Sequence, residues 1–309
     1  MRADIEAAVR IARQAADFDW AWTIDNLEQF CGLVGWQRPV PDEIVGAEIQ
    51  TDLNISWPVA LAVYDPKFCR IWLPGSQVVY VTVCLTDDPS EDSLEVQQAL
   101  VDRFAEIYRR ISSELGKPAR LLGRHPRVYW DLPKVSLVLT ADFDRLEVSF
   151  RIANSIYQHH DNLIYEDDED REEVSPTVIA RPSGSDWPEF AASLALALSR
   201  LPEGGDLQLS MGDTIGAQFT MRHIEGLRCG SARRGWIIGF PNASTGSRKG
   251  IEWPAANEVF LEMAENLTAE LREAYQVVTP SEILAEAWVD SYRCIPDIST
   301  IGETEQVDR

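Results

Sequence analysis

Positive charge is in short supply in this chain: 28 lysines and arginines face 50 aspartates and glutamates across 309 residues, a net charge of −22 at pH 7. A surface this acidic repels nucleic acid and anionic bilayers over a Debye length or more, which excludes both as expected partners. Cysteine is sparse too. The five thiols (Cys31, Cys69, Cys84, Cys229 and Cys294) are odd in number, scattered and never spaced C-x-x-C, so reduced side chains are expected rather than a zinc site or a disulfide framework. No stretch reaches the about 18 consecutive apolar residues that span a bilayer, and Asp4 and Glu6 interrupt the start where a signal peptide would need an apolar run. The expected location is the cytoplasm. Phosphate-cradling loops are missing: Gly204-Gly205 has no following Lys-Ser/Thr, and nothing matches G-x-G-x-x-G.

What the chain does have is hydrophobic content of 45 %, enough at this length for two cores. Residues 161–180 divide it. They hold eight acids and one base, centred on Glu166-Asp167-Asp168-Glu169-Asp170-Arg171-Glu172-Glu173. Such a run repels itself and buries little, so it reads as a solvated linker. The expected organisation is a domain at 1–160, an acidic linker at 161–184, a domain at 185–296 and a polar tail at 297–309.

In the first half, Ile5, Val9, Ala12 and Ala16 mark one face of a helix. Thr23 offers an N-cap to a second helix presenting Leu27, Phe30 and Cys31. Trp20, Trp22 and Trp36 flank that helix, as core anchors or as a binding platform. Strands are expected at 44–50, 59–64, 70–73 and 78–85, separated by turn residues such as Asp65-Pro66 and Pro74-Gly75. A long helix follows, with Leu100, Phe104, Ile107, Ile111 and Leu115 on one face. Strict alternation through 146–152, and through Val135, Leu137 and Leu139, predicts a sheet with one buried face, for which the long helix is the natural cover.

The second half repeats this order loosely. Asp186 starts a helix carrying Phe190, Leu194, Ala197, Leu198 and Leu201; alternating strands follow at 207–211 and 217–222, with weaker ones at 227–232 and 236–240. A long helix sets Phe260, Met263, Leu267 and Leu271 on one face, and a last helix is expected over 281–289. The fold class is therefore α+β, two units, each an antiparallel β-meander covered by a long amphipathic helix.

These residues carry two resemblances. Trp20-Ala21-Trp22-Thr23-Ile24-Asp25, Gly35-Trp36, Leu85-Thr86-Asp87 and His125-Pro126-Arg127-Val128-Tyr129-Trp130 resemble an actinobacterial domain family of unknown function. Trp187-Pro188-Glu189-Phe190, Leu201-Pro202-Glu203-Gly204-Gly205 and Pro280-Ser281 resemble the TY-Chap N-terminal domain, of a superfamily related to type III secretion chaperones and YbjN-like proteins. The resemblance implies a non-enzymatic, protein-binding role, chaperone-like or as an immunity factor for a secreted effector, and supplies no catalytic residue and no cofactor.

The partner this implies is a protein, a basic effector or toxin. An acidic face would steer it: Glu166, Asp167, Asp168, Glu169, Asp170, Glu172 and Glu173 of the linker, with Asp87 and Asp88 at a helix start, where capping is the alternative use. From a different class, His159, His160 and Asp161 are the one compact set of metal-capable side chains and would serve a metal-dependent enzyme or small-ligand binder. Against this, adjacent residues diverge on any regular element and no second cluster supplies further ligands. His125 and His223 have no nucleophile placed beside them by sequence. A third reading is a structural subunit whose open sheet edge pairs with a second copy.

Overall fold

The computed structural model describes residues 1–42, 46–87, 89, 91–120, 126–166, 177–182, 186–202, 204–212, 214–222, 226–231, 251, 253–289 and 296–307. The chain divides into two compact units, one of Met1–Leu121 with Arg127–Asp168 and one taking in Glu169–Arg309. Each is an antiparallel sheet with helices, an α+β fold.

Unit 1 opens with helices α1 (Ile5–Asp17) and α2 (Ile24–Val34). Asp4 caps α1 by accepting from the Ala7 amide, and Thr23 caps α2 by accepting from Asn26. Strands β1 (Val40–Asp42), β2 (Gly46–Gln50) and β3 (Val59–Tyr64) lead through helix α3 (Pro66–Trp72) to β4 (Val78–Cys84). Helix α4 (Leu94–Leu115) then crosses to β5 (Ala119–Arg120), β6 (Arg127–Asp131), β7 (Val135–Asp142) and β8 (Glu147–Asn154), and helix α5 (Ser155–Glu166) follows. The sheet order is β1-β2-β3-β4-β8-β7-β6-β5, so two antiparallel runs meet where β4 pairs with β8.

Register decides the two faces. Val83 opposes Phe150, Val81 opposes Ile152, and Leu137 and Leu139 continue the row on β7. All six side chains are buried, and α1 and α4 pack on each other and on this part of the sheet. The α4 stripe is the expected one: Leu100, Phe104, Ile107 and Ile111 are buried. The α1 stripe is not. Ala8, Ile11, Ala12 and Ala15 face inward, whereas Ile5 and Val9 are only half-buried, because small side chains let α1 and α4 approach closely.

The tryptophans belong to the core. Trp20, Trp22 and Trp36 are each about 95 % buried. Trp20 stacks on Trp22 at 4.4 Å between ring centroids, and Phe30 meets Trp36 edge-on at 5.9 Å. Asn26 holds the connecting loop by accepting from the Ala21 and Trp22 amides at 2.8 and 3.3 Å.

Unit 2 contains β9 (Thr177–Arg181), α6 (Trp187–Arg200), β10 (Gly205–Met211), β11 (Thr214–Arg222), β12 (Gly226–Ser231), α7 (Asn257–Tyr275), β13 (Leu284–Val289) and β14 (Glu303–Val307), with sheet order β12-β11-β10-β13-β9-β14. Ala180, Ala285, Leu209 and Ala217 lie in one register row across four strands, all buried. Helices α6 and α7 pack together, burying Phe190, Leu194, Leu198, Phe260, Met263 and Leu271.

Four further sequence expectations need correction. The strand at 70–73 is helix α3: Asp65, read as a turn residue, accepts from the Lys67 and Phe68 amides, and Pro66 occupies the first helical turn. The last helix at 281–289 is a 3₁₀ turn (Pro280–Glu282), held by a Thr279/Glu282 capping box, followed by β13, whose residues alternate half-buried and buried. The linker at 161–184 is partly structured. Residues 161–166 extend α5, and β9 lies between β13 and β14, so pairing on both edges outweighs the flanking charge. The polar tail at 297–309 contributes β14. The expected strand at 236–240 and residues 167–176 lie outside the described residues.

Candidate functional site

Successive residues of a strand point to opposite faces, so Val63 and Tyr80, which oppose each other, and Arg151, paired with Thr82, project from the face opposite Val81 and Val83. Helices α3 and α5 cover one region of that face. A small second core forms there from Phe68, Cys69, Leu73 and Val79, with Val63, Tyr80 and Tyr157 packed against it. The register shift between Val63 and Tyr64 allows Val79 to join it.

Above this core the rings form a chain. Tyr80 and Tyr157 lie 5.7 Å apart, and Phe68 stands edge-on to Tyr157 at 4.9 Å and to His160 at 5.1 Å. His160 in turn meets Trp72 at 5.6 Å. The Arg151 guanidinium lies 4.5 Å over the Tyr80 ring and donates to Asp161 at 3.4 Å. Burial pushes the Tyr157 hydroxyl above its ordinary pKa, and the Asp161 carboxylate adds to the effect. Burial also raises the Cys69 thiol, with Asp65 contributing.

The chain of rings ends in solvent. Trp72 is 54 % exposed, its neighbour Ile71 64 %, and Ile156, one turn before His160 on α5, 53 %. The two helices that carry the ring cluster thus leave three large apolar side chains in solvent. The arrangement offers aromatic and aliphatic surface, with Arg151 and Asp161 already paired to each other.

His159, His160 and Asp161 do not converge. Consecutive residues of a helix are about 100° apart: His159 is exposed, His160 packs on Phe68 and Trp72, and Asp161 takes the Arg151 guanidinium. Among the described residues no three histidine, cysteine or acidic side chains are placed to hold a metal ion. His125 and His223 lie outside the described residues.

Asp87 is occupied within its own unit. Its carboxylate accepts from the Ser56 amide at 2.7 Å and the Ser56 hydroxyl at 2.8 Å, and pairs with Arg2 at 3.2 Å. Burial alone would raise its pKa, but the Ser56 bonds and Arg2 outweigh that and hold it below the usual carboxylate range. Asp88 and Asp167, Asp168, Glu169, Asp170, Glu172 and Glu173 lie outside the described residues, and Glu166 is the last residue of α5.

The ring cluster is not legible in the sequence because the strand expected at 70–73 leaves Phe68 outside any element and links neither it nor Trp72 to α5. Their spacing of four residues, directly behind Asp65-Pro66, is the signal that would have found it.

Residues 6–151 match a family of unknown function, DUF6301. That comparison supports the resemblance seen in the first half and gives none for the TY-Chap-like reading of the second. No curated protein and no solved structure matches the chain. Among the described residues no helix is long and apolar enough to cross a membrane.

Proposed function

We propose that the protein binds another polypeptide and performs no chemistry, acting in the cytoplasm as a chaperone-like partner or immunity factor for a secreted effector. The observation that carries the reading is the exposure of Ile71, Trp72 and Ile156 on the two helices that carry the Phe68, Tyr157 and His160 rings. Aromatic anchors are enriched at interface hot spots, and the fold leaves Trp72 open. The acidity of the whole chain favours a basic partner and raises the rate of encounter. The resemblance of the second half to the TY-Chap domain points the same way.

The test is co-expression with the products of the genes adjoining its own. The wild-type chain retains one of them through purification. Trp72→Ala with Ile156→Ser loses it while melting at the temperature of the wild type. Equal retention by the double variant overturns the reading. If the retained protein is toxic, rescue of growth marks an immunity factor, and solubility without rescue marks a chaperone.

A further inference from the structure

A second feature, within unit 2, points to a particular kind of partner segment. β14 is the edge strand of its sheet, all five of its residues are exposed, and among the described residues no strand pairs with its outer side. Alternate residues of such an edge turn their N–H and C=O groups outward, ready for another strand.

Beside the start of β14 is a cavity of about 240 Å³, lined in part by Asp186, Glu189, Phe190, Thr300, Ile301 and Glu303. Phe190 and Ile301 are buried, so one part of its wall is apolar. Asp186, Glu189 and Glu303 are exposed, and among the described residues no cation pairs with any of them. Asp186 is the N-cap of α6 yet makes no capping hydrogen bond, so its carboxylate is not committed to the helix. The volume falls below the roughly 300–1,000 Å³ of small-molecule sites, room for one side chain rather than a cofactor.

The cavity is rigidly tied to the strand. Arg200 pairs with Asp297 at 3.0 Å, and the Thr300 hydroxyl donates to the Ser193 carbonyl of α6 at 3.0 Å. Gly302 passes so close to β9 that a Cβ there would lie 1.9 Å from the Arg181 oxygen. Cavity and open edge therefore keep one spacing.

We propose that this edge and cavity receive an extended basic segment of a partner polypeptide, which pairs with β14 and lays a lysine or arginine into the cavity. Such a side chain has an apolar stem for Phe190 and Ile301 and a charged head for the three carboxylates. Main-chain pairing supplies affinity and the cavity supplies selection. Glu305, further along β14, extends the negative charge in the direction the segment would run.

The test uses the full chain and a fluorescent ten-residue peptide of alternating lysine and threonine, with a glutamate-threonine peptide as control. The lysine peptide is expected to bind, and Glu189→Lys with Glu303→Lys to weaken it at least tenfold. The milder pair Glu189→Gln and Glu303→Gln weakens it at least threefold, and circular dichroism confirms folding. Glu91→Lys with Glu114→Lys, two exposed acids of unit 1, changes net charge by the same amount and leaves binding within twofold. No binding by the wild type, or equal losses in both lysine pairs, overturns the proposal, since the second result means attraction to overall charge. Trp72→Ala with Ile156→Ser does not alter peptide binding, so this site and the unit 1 surface fail separately.

Discussion

Arg200 and Asp297 are 97 residues apart in sequence and 3.0 Å apart in the structure, joining the end of α6 to the turn that leads into β14. The Arg200 side chain is 4 % exposed and that of Asp297 18 %. Asp297 also accepts from the Ser299 amide and hydroxyl at 3.1 and 2.6 Å, which fixes the turn. Removing one member of a buried pair costs more than the pair itself contributes, because the other charge stays out of water. Arg200→Met is expected to destabilise the protein by about 3 kcal/mol. Arg200→Met with Asp297→Asn recovers part of the loss. Urea denaturation of these variants and of Asp297→Asn alone checks this; a double variant weaker by the full sum of the single effects would show that the two residues do not interact.

A second prediction concerns the same strand. A Cβ on Gly302 would sit 1.9 Å from the Arg181 oxygen and 2.7 Å from its carbonyl carbon, both backbone atoms that no rotamer change can move. Gly302→Ala must separate β14 from β9 locally and is expected to cost about 2 kcal/mol or more, in the range of overpacking substitutions. Hydrogen exchange reads the result directly: amides of 303–307 lose protection while those of β10 and β11 keep theirs. Unchanged exchange at 303–307 would mean that the close approach of β9 and β14 is not held.

Asp87 makes a pH-dependent contribution whose sign follows from its partners. The folded protein holds its pKa below the ordinary value, against burial, through Ser56 and Arg2. The ionised carboxylate therefore favours folding. That contribution is complete above the pKa of the unfolded chain, about 3.9, and disappears as pH falls through the lower folded value. Asp87→Asn is expected to lose about 1–2 kcal/mol at pH 7, from charge-assisted hydrogen bonds weakened to neutral ones. The gap between variant and wild type narrows below about pH 4. Chemical denaturation at pH 7 and pH 3 measures both, and a gap independent of pH would assign the effect to packing.

Local periodicity made part of this fold legible. The stripe Leu100, Phe104, Ile107 and Ile111 and the alternation of β8 each state their own period over many residues, so α4 and the buried sheet face follow from sequence. Helix α3 and strand β13 were misread because seven and six residues are too few to separate the two periods. β9 was hidden for another reason. Its neighbours are acidic, and the pairing that makes it a strand comes from β13 and β14, roughly a hundred residues later. The ring cluster has the same non-local origin: Phe68 and Trp72 meet Tyr157 and His160 across about ninety residues, and nothing near either pair announces the other.

Cys31 provides a probe of unit 1 as a whole. It is 1 % exposed within α2, and burial pushes its thiol up to about 12, with the Glu28 carboxylate adding to the rise. Only the thiolate reacts with an alkylating agent. At pH 8 a group titrating near 12 is ionised in about one molecule in ten thousand, against roughly a quarter for a free cysteine near 8.5. Modification of Cys31 therefore requires exposure, and its rate should follow unfolding rather than thiol chemistry. The expectation is that iodoacetamide leaves Cys31 unmodified in the native protein for hours and labels it promptly in urea, as read by peptide mass spectrometry. Its rate should rise with urea in parallel with loss of tryptophan fluorescence, since Phe30 on the same helix packs against Trp20 and Trp36. Labelling of the folded protein at the rate of a free thiol would show that α2 opens without the rest of its unit, and that the tryptophan cluster does not hold it closed.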